Sequence, residues 1–234
     1  MCLSSGKYVS RYFEYYGASK ENIKEHNFSS LFKKDLLKFP ISQNEKILLR
    51  QNLKLNKSKM VLAVGQFIKR KGFDIMLSAW KDFDDEFQLV IIGGGEEKNK
   101  YIELINNNYL NNVFLIDFLS KEKIKEYYLA ADVFVLPTRE DIWGLVVIEA
   151  LAVGVPVIST NKCIAALELI KNGYNGCIVE SENVDCLKIA LNDFLSIDSD
   201  SFTCIKENCI ESVQNYNIEN IIQSHIVNIN ECFE

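Results

Sequence analysis

Pro137-Thr-Arg-Glu-Asp-Ile-Trp-Gly-Leu-Val-Val-Ile-Glu-Ala-Leu-Ala-Val-Gly-Val-Pro-Val-Ile-Ser-Thr160 is the stretch that decides the fold. A β-type apolar run, 133–136, leads into it and stops at Pro137. A charged turn follows. A helix then opens near Gly144, with Asp141 ahead of its first turn and Glu149 inside it. Gly154 ends that helix, and Pro156 starts another buried strand. A strand, a turn with free backbone N–H groups, a helix N-terminus and a flanking carboxylate together suit a phosphate joined to a polyhydroxyl group. A nucleotide sugar has that chemistry.

The same alternation extends in both directions. Strand-like runs fall at 61–65, 88–93, 113–116, 133–137, 156–160 and 176–180, with helix-like stretches at 73–80, 99–108, 121–130, 145–153, 165–171 and 184–195. Near-continuous Val, Ile and Leu runs mean strands buried on both faces, as in a parallel sheet between two helix layers. Such units in series predict an α/β, doubly wound, Rossmann-like sheet of six strands in the order 3-2-1-4-5-6. Residues 201–234 read as two further helices packing back on that domain, which spans 59–200. Residues 1–58 differ: a helix over 7–16 ended by Gly17, a short extended piece at 27–30, and a helix stop at Phe39-Pro40. Ser42-Gln-Asn-Glu45 then reads as a capping box opening a helix through residue 49.

At 234 residues and 48% hydrophobic content, the chain can bury a full core. A net charge of −6 argues against nucleic acid or an anionic membrane as a charge-driven partner. No apolar run is long enough for a transmembrane segment, and the start Met1-Cys-Leu-Ser-Ser-Gly lacks a signal peptide's apolar core. The expected location is cytoplasmic, with peripheral contact at the inner membrane face compatible with it. Seven cysteines and no Cys-x-x-Cys pair predict reduced, mostly buried thiols rather than a disulfide framework or zinc site.

The segment Asp141-Ile-Trp-Gly-Leu-Val-Val-Ile-Glu149, with the following Ala150-Leu-Ala-Val-Gly-Val-Pro-Val157, resembles the signature of family 4 glycosyltransferases of the GT-B fold. Similar motifs stand upstream in Val64-Gly-Gln-Phe-Ile-Lys-Arg-Lys-Gly-Phe-Asp74 and Leu89-Val-Ile-Ile-Gly-Gly-Gly95. Ala130-Ala-Asp-Val-Phe-Val-Leu-Pro137 and Asn172-Gly-Tyr-Asn-Gly-Cys-Ile-Val179 complete the series. The resemblance covers the chain from about Lys59 onward and implies the C-terminal, nucleotide-sugar-binding domain of such an enzyme, of the kind used in bacterial polysaccharide biosynthesis. It implies retention at the anomeric carbon and no metal or other cofactor, with a UDP-sugar the favoured donor. Residues 1–58 would then be the tail of the acceptor-binding domain and the linker, with the rest of that domain missing.

In a doubly wound sheet, ligands bind at the carboxyl ends of the strands. Those ends carry Gly65, Gly93-Gly94-Gly95, Phe118-Leu119 and Pro137. Lys69-Arg70-Lys71 follows the first strand, where fixed cations would stabilise charge growing on a departing diphosphate. The family pattern places Arg at Gln66 and Lys at Lys71; Gln66 departs, and Arg70 is placed to supply the charge. A solvated basic turn is the plain alternative. Glu149 suits the ribose diol, against the reading of a simple surface glutamate. Asp141 takes the position of the family's first acid, on the transferred sugar, or caps the helix instead. Glu140 is the substitute if the register slips. Gly144, Leu145 and Val146 offer N–H groups to phosphate, while Gly93-Gly94-Gly95 lets a ligand approach closely or merely turns the chain. Phe118 and Leu119 resemble the family's base-edge loop; Trp143 reads as packing. Glu168 matches a family glutamate, but Ala165 and Ala166 stand where glycines are usual. Asp141, Glu149 and Lys71 are thus the candidate catalytic residues.

The resemblance implies a hexosyltransferase acting on a saccharide or lipid-linked acceptor. Two alternatives stand beside it: a catalytically silent nucleotide-sugar-binding module, and a donor half working in trans with a separate acceptor-domain chain. A dinucleotide-binding dehydrogenase is excluded, because neither Gly65-Gln-Phe-Ile-Lys nor Gly93-Gly-Gly-Glu-Glu matches Gly-x-Gly-x-x-Gly.

Overall fold

Six strands, each an apolar run, line up side by side because none has a polar face to give to water. In the computed structural model, which describes residues 1–55 and 59–231, they are β3 (Lys59–Val64), β4 (Phe87–Ile92), β5 (Val113–Ile116), β6 (Val133–Leu136), β7 (Val157–Thr160) and β8 (Gly176–Val179). All neighbours are parallel, in the order β5-β4-β3-β6-β7-β8. That is the expected 3-2-1-4-5-6. Residues 60–64 of β3 are all buried, as a strand covered on both faces requires.

The crossovers are α3 (Phe73–Ala79), α4 (Lys98–Asn107), α5 (Lys121–Ala130), α6 (Leu145–Ala152) and α7 (Ile164–Leu169), with α8 (Val184–Ser196) after the last strand. Helix α3 packs with α4 and α8, while α6 packs with α7 and with α9 (Ser199–Ser212). Each sheet element begins and ends within two residues of its expected position. Trp80, Phe67, Phe73, Tyr101 and Phe134 fill the interior, and Trp80 Nε1 donates to Asn112 Oδ1 at 3.1 Å.

Ahead of the sheet lie β1 (Cys2–Ser4), α1 (Lys7–Tyr15), β2 (Ile23–Glu25) and α2 (Gln43–Asn52). The capping box forms as read: Ser42 Oγ accepts from Glu45 N at 3.3 Å, and the Glu45 carboxylate accepts from Ser42 N at 2.8 Å. The parallel pair β1 and β2 is new relative to the sequence reading, which put an extended piece at 27–30 instead. Helix α2 lies against α5 and is tied to the sheet by a buried ion cluster. Arg50 Nη2 reaches Asp132 at 2.5 Å, Lys46 stands 3.7 Å from the same carboxylate, and Met60 N donates to it at 2.8 Å. The last helix, α10 (Ile218–Asn230), returns to the N-terminal segment through Ile218 N to Leu31 O (2.8 Å), Lys24 to Glu231 (2.9 Å) and a His26–His225 ring contact at 4.6 Å.

Six cysteines are free thiols; the seventh, Cys232, and the expected boundary at residue 58 lie outside the described residues. No helix among the described residues is long and apolar enough to cross a membrane.

Candidate active site

Because the strands are parallel, the loops after β3, β4, β5 and β6 emerge on one edge. The basic turn after β3 is a single 3-10 turn, Lys69–Lys71. The β6 loop clamps it. Arg139 N and Thr138 Oγ1 donate to Arg70 O at 2.8 and 2.9 Å, and the Arg139 guanidinium donates to Lys69 O at 2.6 Å. The same guanidinium grips both oxygens of Asp74, at 2.9 and 3.0 Å. Gly72 closes the turn at φ 71°, where a Cβ would run into the Pro137 carbonyl. Only glycine lets the turn lie so near β6.

That clamp aims Lys71 across the edge, and its Nζ meets Asp141 Oδ2 at 2.5 Å. Arg70 Nη1 donates to Glu140 O at 2.8 Å and lies 4.0 Å from Asp141 Oδ1. Asp141 is only 8% exposed. Its carboxylate is committed to Lys71 and does not cap α6. The N-cap is Gly144, at φ 96°, with no side chain capping the first turn. Leu145 and Val146 therefore begin the helix with the positive end of its dipole toward the edge.

Glu149, one turn further along, points to a different group. Tyr128 Oη donates to its carboxylate at 3.0 Å and Ser30 Oγ at 3.4 Å, while Lys121 Nζ donates to Ser30 O at 2.9 Å. Burial pushes the Glu149 carboxyl above its ordinary value, against the Tyr128 hydrogen bond, Lys121 and Ser30, which pull it down. A cavity of about 790 Å³ opens here, from Leu119 and Lys121 down past Glu149 to Ala152 and Val153. The structure thus forms two clusters, Lys71-Arg70-Asp141 and Glu149-Tyr128-Ser30, with the start of α6 running between them.

The remaining residues fall around these. Gly65 follows β3, and Gln66 is exposed beside it. Phe118 is 66% exposed, with its ring against Gly94, where a Cβ would sit 2.8 Å from it. Trp143 is buried and packs edge-on against Phe28 at 5.8 Å, its Nε1 without an acceptor. Glu168 lies in α7 and accepts from Tyr8 N at 2.9 Å, at the start of α1.

The family model for "Glycosyl transferases group 1" matches residues 44–211. The chain belongs to this glycosyltransferase family. It is 34% identical over 128 residues to an uncharacterized glycosyltransferase of Methanocaldococcus jannaschii, covering 54% of this chain and 35% of that protein. It is 31% identical over 141 residues to the amylovoran biosynthesis glycosyltransferase AmsD of Erwinia amylovora, covering 60% and 39%. The chain thus spans about a third to a half of the length of the curated relatives it matches. Among solved structures, Anabaena Alr3699/HepE in complex with UDP and glucose superposes with TM-score 0.82 at 20% identity, over 97% of this chain and 62% of that one. Sucrose-phosphate synthase from Thermosynechococcus elongatus gives 0.83 at 24% identity, over 99% and 58%. The fold is that of the GT-B glycosyltransferases.

Tyr128, Ser30 and Arg139 shape these clusters, yet none was singled out from the sequence. Tyr128 lies 21 positions from Glu149, Ser30 119 positions from it, and Arg139 65 from Asp74, so no local pattern links them. Asp-x-Asp spacings, a pattern for metal-bridged diphosphates, occur at Asp82-Phe-Asp84 and Asp198-Ser-Asp200. Both lie off this edge: Asp82 pairs with Lys188, and Asp198 caps α9.

Proposed function

We propose that this chain is the donor-binding half of a retaining hexosyltransferase that works without metal. It takes a sugar from a nucleoside-diphosphate donor, UDP favoured, and passes it to a saccharide or lipid-linked acceptor in surface-polysaccharide synthesis. The observation that carries this reading is the pair of clusters flanking an uncapped helix start on one sheet edge. Glu149 accepts the two ribose hydroxyls, and Leu119 lies beside the base. The first N–H groups of α6, with Lys71 and Arg70, hold the diphosphate. In the free protein Asp141 neutralises Lys71. A diphosphate carries more charge than one carboxylate, so it takes over the cation and frees Asp141 for hydroxyls of the transferred sugar. The cations then stabilise charge that grows as the glycosidic bond breaks. A relative named for amylovoran biosynthesis and another for O-antigen biosynthesis support the polysaccharide role. Structural neighbours solved with UDP support the nucleotide.

Calorimetry with UDP in the presence of a chelator tests this. Glu149→Ala and Lys71→Ala should each weaken binding by about 1.5–3 kcal/mol, the range for hydrogen bonds to charged groups. Unchanged affinity in both variants overturns the assignment.

A further inference from the structure

A second cavity, of about 540 Å³, lies at the opposite pole of the sheet, where β3 begins and β6 is about to begin. Residues at the starts of α2 and α9 line it, among them the N-cap Ser42 and Ser199; both starts are already capped, by Ser42 with Glu45 and by Asp198. Its walls include Phe194, Ile197 and Phe202, and its polar lining includes Lys59, Asp132 and Lys206.

Lys206 is the anomaly. It is only 8% exposed, lines the cavity, and has its ammonium 5.7 Å from the centre of the Phe202 ring. No acceptor lies within hydrogen-bond or ion-pair distance of it among the described residues. The Lys206 stem is buried while its ammonium opens into the cavity, with a ring face beside it and no carboxylate bound to it. The surroundings do not supply one. Asp132 is already taken by Arg50 and Lys46. Lys59, at the rim, reaches only the Leu195 carbonyl, at 2.5 Å. Glu45, the other carboxylate lining the cavity, is exposed and engaged in the capping box with Ser42.

Lys206 also acts on the next residue inward. Burial lowers the Lys46 ammonium to about 8; Asp132 opposes this, while Lys206 and Arg50 add to it. Two lysines and two carboxylates line this roomy cavity, and both carboxylates are already engaged, Asp132 by Arg50 and Lys46 and Glu45 in its capping box, so Lys206 is left without a carboxylate partner among the described residues.

We infer that this cavity is an anion site for an organic phosphate, whose phosphate sits between Lys206 and Lys59 and whose apolar body lies against Phe194 and Phe202. The site shares no residue with the donor edge. A soluble phosphate ester and a lipid phosphate headgroup offer the same chemistry, and the experiment separates them.

Phenyl phosphate titrated into the whole chain, followed by phosphorus NMR, should bind saturably. Lys206→Met should weaken this by about tenfold or more, as expected for loss of a charge-assisted bond. Lys206→Arg should retain most of it, and circular dichroism checks that both variants fold. In the wild-type chain, phenyl phosphate should protect Lys206 from an amine-reactive label read by mass spectrometry. Co-sedimentation with phosphatidic acid vesicles, against phosphatidylcholine vesicles, assigns the source to a lipid; binding of phenyl phosphate alone assigns it to a soluble ester. UDP affinity should be the same in Lys206→Met and wild type, whatever becomes of the donor assignment. Absence of binding to both phosphate probes, or equal binding by Lys206→Met, overturns the inference.

Discussion

Glu149 meets two demands that pull against each other. In the proposed donor role it presents a carboxylate to a ligand, yet it sits in a half-buried position that disfavours its charge. The folded-state value lies above the unfolded one, so the folded chain loses stability as pH rises from the ordinary carboxylate value through the folded value. The penalty is fully present above that window. Glu149→Gln removes it and leaves Tyr128 Oη an oxygen to donate to. The variant should therefore be more stable than wild type at neutral pH, by up to about 1 kcal/mol in urea unfolding, while its UDP affinity falls. Its stability advantage should shrink on acidification, because the wild-type carboxyl then protonates. A Gln variant that is less stable at pH 7, or that binds UDP as well as wild type, contradicts the role given to this side chain. Residues such as Gly72 and Gly144 obey a different constraint. Each has positive φ and a neighbour where its Cβ would go, so Gly144→Ala would push on Cys163 Sγ, 2.7 Å away, and tilt the start of α6.

Between elements, a buried ion cluster joins α2 to the sheet. Arg50 and Lys46 lie one turn apart on α2 and converge on Asp132, which also accepts from Met60 N at the start of β3. Asp132→Asn would remove the carboxylate charge on which both buried cations converge. The expected cost is about 3–5 kcal/mol in urea unfolding, the range for breaking a buried pair from one side. Lys46 adds a pH signature. Its folded value, about 8, lies below that of an unfolded lysine, so its burden is present below pH 8 and lifts as pH rises toward the unfolded value. Stability from this group should thus increase on the alkaline side. This cluster was not legible in the sequence, because its members are some 80 positions apart. The strands were legible because burial on both faces leaves an unbroken apolar run, as in Val61-Leu-Ala-Val64. The pair β1 and β2 escaped for the converse reason: each has three residues, and Ile23-Lys-Glu25 carries two charges. At the candidate site, Lys71, Asp141 and Gly144 could be picked out because they sit in contiguous motifs. Tyr128 and Ser30 arrive from other elements, and only the fold brings them in; Arg139 lies two residues before Asp141, but its partners Lys69 and Asp74 are 70 and 65 positions away.

Across the whole molecule, what matters is how much of a reaction one sheet edge can run. Glycosyl transfer needs an acceptor hydroxyl held within attack distance of the anomeric carbon, and positioning supplies a large share of the rate. The proposed donor edge offers cations, helix N–H groups and carboxylates, which that reading assigns to the nucleotide and sugar. The matched relatives are two to three times longer than the aligned portion of this chain, so acceptor-binding parts are proposed to come from a further domain, joined or separate. On the same edge Phe118, next to the cavity-lining Leu119, is 66% exposed. An open edge leaves the diphosphate hydrated, which weakens every charge interaction that catalysis would use. The 234-residue polypeptide should therefore bind UDP-sugar but transfer it no faster than it hydrolyses it. Adding the N-terminal half of a matched relative should raise product formation well above that level. The measurement is single-turnover transfer from labelled UDP-sugars to saccharide and lipid-linked acceptors, with and without the added half. Multiple turnovers by the polypeptide alone would show that its own N-terminal segment, with Ser30 already beside Glu149, builds the acceptor site.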